Sequence, residues 1–305
     1  MWSFLSIQAD DVSLNDSNLA HTSVLFLATS KNSARYLPVS FDQIDHIGSL
    51  FKRYHVLLYT DDNNQDQTED LLHEYVAKSP SSRMLLVEKN THPHRTQRIA
   101  QARNRLLETA YAKGYLDDYT WVIQLDIDDS LTGKKLDPQM LNRSISLFQH
   151  ADVVCANNSP DFYYDRWALR TDLYQGKTWS SQISQMAART AKRVVNFVAP
   201  DAYPSINHYD LSHWFGPSYR DRDHIDGSAE PVSVRSCFGG FAIYRASSIA
   251  DCMQMGRCRY QGMTDGFFKK PECEHISFHY SLGQNTGARF VIDPQLVTGG
   301  PEYGR

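Results

Sequence analysis

Four short apolar runs, each ending in polar or acidic residues and each followed by a helix-spaced stretch, constrain this chain more than any other feature. Val24–Ala28, His55–Tyr59, Arg83–Val87 and Trp121–Ile127 are rich in valine, isoleucine and leucine and too short for buried helices, so they read as strands. Between and after them, Phe41–Tyr54, Leu71–Val76, His94–Leu107 and Leu141–Phe148 carry apolar residues at helical spacing. Strands alternating with helices predict an α/β fold, a mostly parallel sheet flanked by helices on both faces. Ligands of such sheets bind beyond the carboxyl ends of the strands. The polar residues there should converge on one crevice: Thr29 after the first strand, Asp62 in Thr60–Thr68 after the second, and an acidic cluster after the fourth.

That cluster is Asp126-Ile-Asp128-Asp129. Unpaired carboxylates are not tolerated in an apolar core, so the strand must end where a cation or water meets them. Asp126 and Asp128 are two apart and share one face of an extended chain. Such a pair suits Mn2+ or Mg2+, which take oxygen ligands and share them with substrate phosphates. A solvated acidic turn is the plainer alternative. Arg103 adds weight, because it lies four residues after Ile99 and three before Leu106, on the apolar stripe of its helix. An arginine there needs an anion, either Asp126 or a diphosphate. Arg95 and Arg98, at the start of the same helix, are candidate phosphate contacts.

Asp152–Ala156 reads as a further strand, followed by the polar, aromatic stretch Asn157–Trp167, which includes Asp165. Residues 158–232 are expected to form an acceptor-side insertion. Within it Gln185–Val195 has the pattern of a helix with a basic outer face, one able to rest against a membrane surface or simply to pack with a solvated side. Tyr203, Tyr209, Trp214, Phe215 and Tyr219 follow, aromatic faces suited to sugar rings or to a core. Gly239 and Gly240 sit between two strand-like runs and either let backbone approach a ligand closely or form a bulge. Near the end, Glu274 and His275 are placed at a helix start beneath the metal–diphosphate site. His279, four residues after His275, is a further candidate metal ligand, although no H-E-x-x-H occurs.

Composition closes off some classes. A net charge of −4 and a pI near 6.3 argue against nucleic-acid binding through bulk positive charge. No run approaches a transmembrane span, and no signal-peptide pattern opens the chain. Residues 1–22 are expected to be a polar arm, with a single domain over 23–305. Five cysteines, an odd number without C-x-x-C, read as mostly reduced, which predicts a cytoplasmic protein, soluble or membrane-peripheral.

Taken together, Arg98-Ile-Ala-x-x-Arg103-Asn104, Asp126-x-Asp128-Asp129, Val154-Cys-Ala with Phe162-Tyr-Tyr-Asp165-Arg-Trp167, Ser236-Cys237-Phe-Gly-Gly and Glu272-Cys-Glu274-His275 resemble the capsule-associated α-1,3-mannosyltransferases of fungi and their bacterial relatives. The resemblance runs from about residue 24 to 298. It implies a GT-A fold and transfer of a hexose, mannose by preference, from a GDP- or UDP-sugar donor to a glycan hydroxyl, with Mn2+ or Mg2+ and retention of configuration. By it, Asp126 and Asp128 meet ribose and metal, Asp62 reads the base, and Glu274 is the acidic residue of the C-terminal motif. Thr29, Arg98, Arg103, Gly239 and Gly240 then face the donor, and His275 and Asp165 are the further catalytic candidates. Two other readings of the same residues are a nucleotidyl- or phosphotransferase, for which Ala28–Ser33 lacks a glycine-rich phosphate loop, and a non-catalytic glycan-binding module, which would not need the carboxylates.

Overall fold

The computed structural model describes residues 19–131, 135–157, 165, 168–170, 230–263 and 271–299. Most of the insertion expected over 158–232, including its basic helix and aromatic run, and most of the N-terminal arm therefore lie outside the described residues.

Eight strands form one sheet in the order β3-β2-β1-β4-β7-β5-β8-β6. The four predicted runs become β1 (Ser23–Ser30), β2 (Arg53–Asp61), β3 (Arg83–Glu88) and β4 (Trp121–Asp126), all mutually parallel. β5 (Val153–Ala156) and β8 (Phe290–Asp293) are parallel to each other, and β7 (Phe241–Arg245) runs antiparallel between β4 and β5. β6 (Val232–Val234) closes the edge antiparallel to β8. Two reversals restore the original direction, so β1 to β5 and β8 all finish at one edge of the sheet. The α/β architecture predicted from alternation is the one observed.

Alternation along the strands sends successive side chains to opposite faces. Leu25 and Leu27 of β1 pack with Ala102, Leu106 and Ala110 of α3 (Arg95–Ala112), on the side that also receives α6 (Ala246–Gln254) and α7 (Glu274–Thr286). Val24, Phe26 and Ala28 face the other way, onto α1 (Leu37–Ser49), α2 (Thr68–Ala77) and α5 (Pro138–Ser146). The short α4 (Tyr115–Asp118) precedes β4. Both faces are covered, which is why these strands carry apolar residues on both sides rather than every second position. One polar peg joins the outer layer: Asp45 Oδ1 accepts from Arg83 Nη2 at 2.7 Å, Tyr75 at 2.7 Å and Tyr54 at 3.2 Å.

Two expectations change. The helix expected over Phe41–Tyr54 starts earlier and stops at Ser49, because Pro38 presets its first turn and Arg53 and Tyr54 are recruited by β2. The cysteines are not mostly reduced: Cys155 bonds Cys237, Cys252 bonds Cys258, and Cys273 alone is a buried thiol. Cys155 and Cys237 are 82 residues apart, and the pairing of β5 with β7 and β8 brings them together. The cytoplasmic setting inferred from reduced thiols loses its basis. No helix among the described residues is long and apolar enough to cross a membrane.

Candidate active site

β4 delivers Asp126 to the sheet edge beside Thr29 of β1. Burial raises the Asp126 carboxyl above its ordinary value, while the adjoining Arg103 guanidinium opposes that rise. The chain then turns through Asp128, whose Oδ1 accepts from Ser130 N at 3.0 Å, and Ser130 Oγ returns to Asp126 O at 2.6 Å. On the other flank Gly240 O accepts from Asp126 N at 3.0 Å. Gly239 and Gly240 have φ of 68° and 74°, and two successive left-handed residues require glycine here. The feature is thus a turn against the acidic strand end, not a bulge inside a strand.

Arg103 lies beneath this edge and is 1% exposed. Its Nη2 donates to Asp126 Oδ1 at 2.8 Å and its Nε to Glu274 Oε1 at 3.0 Å. The two carboxylates hold the guanidinium firmly protonated against the cost of its burial. Its plane sits over the Phe238 ring at 4.6 Å, an attractive cation–ring contact. Glu274 is the first residue of α7, where the helix N-terminus favours a negative charge. The arginine therefore meets an anion, as its place on the apolar stripe requires.

Asp165 joins the same group. Its Oδ2 accepts from Gly239 N at 3.4 Å and its Oδ1 from Ala168 N at 3.2 Å. Burial pushes its carboxyl from 3.8 up to about 6; the Ala168 and Gly239 amides oppose that rise, and the charges of Glu274 and Asp126 add to it. An acid with a higher pKa folded than unfolded binds more protons when folded, so its contribution favours folding at low pH and is lost as pH climbs from about 4 through 6. Asp165→Asn is accordingly expected to stabilise the metal-free protein by about 2–3 kcal/mol near pH 8 and by nothing below about pH 4. Thermal melts at the two pH values check this, and equal shifts at both would place Asp165 outside the charged group.

His275 lies at the helix start where it is expected, whereas His279 departs from expectation. His279 is buried, with Nδ1 3.0 Å from Ser236 Oγ and Nε2 2.8 Å from the Tyr244 hydroxyl. Both ring nitrogens are engaged, so His279 is withdrawn as a metal ligand. His275 is stacked on Phe238 at 3.8 Å, buried, with its Nε2 3.7 Å from Glu274 Oε1. Burial and the nearby Arg103 charge push its pKa well below the ordinary value and keep it neutral. It forms the floor under the carboxylates rather than an open face.

Other expected residues are spread along the edge. Arg98 turns back, donating from Nη1 to His92 O at 2.7 Å and Pro93 O at 3.2 Å, which ties it to the loop before α3. Arg95 is exposed, and its charge reaches Asp126. Asp62 is exposed on the loop after β2, while its neighbour Asp61 is buried and accepts from Lys31 Nζ at 2.6 Å and Asn63 N at 2.9 Å. Sequence reasoning overlooked Asp61 and Lys31, because which of the adjacent Asp61 and Asp62 is buried depends on where β2 ends. It also overlooked Tyr260, whose ring packs on Phe278 at 4.2 Å and whose backbone is bound in both directions by Asn104, at 2.8 and 2.9 Å. Nothing periodic in the sequence signals that contact.

No group of three or more His, Cys, Asp or Glu side chains among the described residues is arranged to hold a metal ion. Asp126 and Asp128 nevertheless fit Mg2+ or Mn2+, which are commonly held by one or two carboxylates together with substrate phosphates. Asp126 spends only Oδ1 on Arg103, and its Oδ2 has no hydrogen-bond partner among the described residues.

The sequence pattern of the family described as Cryptococcal mannosyltransferase 1 matches residues 26–279. No curated protein matches the chain. Among solved structures, the mannosyltransferase PcManGT from Pyrobaculum calidifontis, in complex with GDP-Man and Mn2+, is 13% identical over 93% of this chain and 59% of its own, with a TM-score of 0.47. S. aureus TarS (1–349) in complex with UDP-GlcNAc is 12% identical over 88% of this chain and 55% of its own, with a TM-score of 0.43. The chain spans less than two thirds of either structure. Likeness of that degree assigns neither donor nor acceptor.

Proposed function

We propose that this chain, which belongs to the cryptococcal mannosyltransferase 1 family, transfers a hexose, mannose in the first instance, from a nucleoside diphosphate sugar to a glycan hydroxyl with retention of configuration. The observation that carries the reading is the meeting of Asp126 and Glu274 on one buried arginine at the carboxyl edge of the sheet, with Asp165 near enough for the charges of both to act on it. Three carboxylates from distant parts of the chain are costly to bring together, and structure alone gives no reason to do so.

Asp126 and Asp128 would hold Mn2+ or Mg2+, which when bound offsets the charge of the departing diphosphate. The exposed Arg95 adds positive charge on the same side. The turn at Gly239 and Gly240 has no side chains and lets the donor sugar approach the backbone. Lys31, just past β1, Asp61, the last residue of β2, and Asp62 stand at the end of the sheet edge where the base would sit. Glu274 Oε1 is taken by Arg103, and Oε2 has no hydrogen-bond partner among the described residues, so it can accept from the acceptor hydroxyl. In the transfer, the bond from the sugar's anomeric carbon to phosphate oxygen breaks and one to the acceptor oxygen forms. With retention, the hydroxyl proton passes to the departing phosphate.

The two disulfides support work in an oxidising compartment instead of the cytoplasm. A panel of GDP- and UDP-sugars with Mn2+ tests the donor, and proton NMR of the product tests the anomer. GDP-mannose consumed to an α-linked product is expected. A β-linked product from it would overturn retention, and selective use of a UDP-sugar would overturn mannose.

A further inference from the structure

Arg103 divides a grip that arginine ordinarily gives to one carboxylate. Its Nε–H and Nη2–H lie along the same edge of the guanidinium, the edge that commonly receives both oxygens of a single partner. Here Nη2 takes Asp126 Oδ1 at 2.8 Å and Nε takes Glu274 Oε1 at 3.0 Å, joining residues 148 positions apart (274 − 126). Asp126 Oδ2 and Glu274 Oε2 have no hydrogen-bond partner among the described residues, so each carboxylate keeps one oxygen for a ligand. The third nitrogen, Nη1, is buried and unpartnered, an arrangement that stability alone does not favour.

The surroundings fix the guanidinium's position. Phe238 lies against it at 4.6 Å and immediately precedes the Gly239–Gly240 turn that bonds Asp126 N. Tyr260 lies 6.0 Å away and is anchored through Asn104, one residue after Arg103 on α3. Movement of Arg103 would shift the metal carboxylate, the glycine turn and Glu274 relative to one another.

We propose that Arg103 is a positioning residue that sets the spacing between the donor-side carboxylate Asp126 and the acceptor-side carboxylate Glu274, so that the anomeric carbon and the acceptor hydroxyl meet in register. This role rests on the transfer reading above. It requires the fork of a guanidinium: lysine would keep the charge but offers a point donor that cannot hold the two oxygens at fixed separation.

The test compares wild type, Arg103→Lys, Glu274→Asp and the double variant for kcat in GDP-mannose turnover and for Kd of GDP with Mn2+. Each single variant is expected to lose about 100-fold in kcat, the usual scale for a misplacement of about 1 Å. GDP affinity should fall by much less than kcat, because most of the loss falls on the reacting geometry. The double variant should be no slower than the slower single one, since both break the same register. Guanidinium ion added to Arg103→Ala should restore part of the rate at a concentration that leaves its melting temperature unchanged, a combination that a merely structural arginine would not give. Wild-type kcat in Arg103→Lys, or a loss confined to GDP affinity, overturns the positioning role. Should Arg103→Lys not fold, wild-type kcat in Glu274→Asp, which keeps the charge but retracts it by one methylene, overturns it equally. A wild type that turns over no nucleotide sugar removes the transfer reading and this role with it, whereas turnover in both wild type and Arg103→Lys removes this role alone.

Discussion

Glu274→Gln lowers sugar transfer by about 100-fold or more while leaving nucleotide binding near wild type; this is the expected result, on the usual scale for groups that handle the reacting proton or its hydrogen bond. The substitution is nearly isosteric, and the amide oxygen can still accept from Arg103 Nε, where Glu274 Oε1 accepts now at 3.0 Å. What it removes is the negative charge proposed to face the acceptor hydroxyl. Asp126 remains as a partner for the buried guanidinium, so the fold should survive. Transfer rate and GDP affinity measured side by side give the answer. Normal transfer would make Glu274 a helix-start glutamate that only neutralises Arg103, and would move attention to Asp165.

Asp128→Ala should reduce binding of GDP in Mn2+ to the level seen with the metal chelated. Asp128 sits past the end of β4, outside the apolar layers, and its Oδ1 is used locally by Ser130 N at 3.0 Å. Loss of that local bond costs about 1 kcal/mol, as at other turn caps, which is too little to unfold the domain. Loss of one of the two carboxylates proposed to hold the metal should be far larger in effect, because an ion held this way takes its other ligands from substrate phosphates and water. Calorimetric titration with and without Mn2+ measures both terms. Unchanged affinity in the variant would take Asp128 out of the metal site.

Much of this arrangement is legible in the residues. The acidic end of β4 is legible because the buried Val122, Ile123 and Leu125 give way to Asp126 and, past the buried Ile127, to Asp128, carboxylates that an apolar core does not accept unpaired. Arg103 is legible for a similar reason, since helix arithmetic puts it on a packed face and a packed arginine must find an anion. Other features depend on contacts between distant segments. Helical spacing puts His275 and His279 on one face, but Ser236 and Tyr244, which engage both nitrogens of His279, come from other elements. Cys155 meets Cys237 because β5 pairs with β7 and β8, an order that alternation of strands and helices does not specify. Asp61 and Asp62 are adjacent, and which of them is buried turns on where β2 ends, a boundary that composition leaves uncertain by a residue or two.

The central claim is that the crevice holding Asp126, Asp128 and Glu274 moves a sugar from a nucleoside diphosphate under divalent-metal control. Steady-state release of GDP from GDP-mannose by the disulfide-intact protein measures this most directly, in Mn2+, with excess chelator, and in the Asp126→Asn variant. The account predicts turnover in Mn2+ that chelator abolishes and Mn2+ restores, and a loss of about 100-fold or more in Asp126→Asn. Turnover that is indifferent to chelator and to Asp126, or an intact protein that neither binds nor turns over nucleotide sugars in Mn2+, would contradict it.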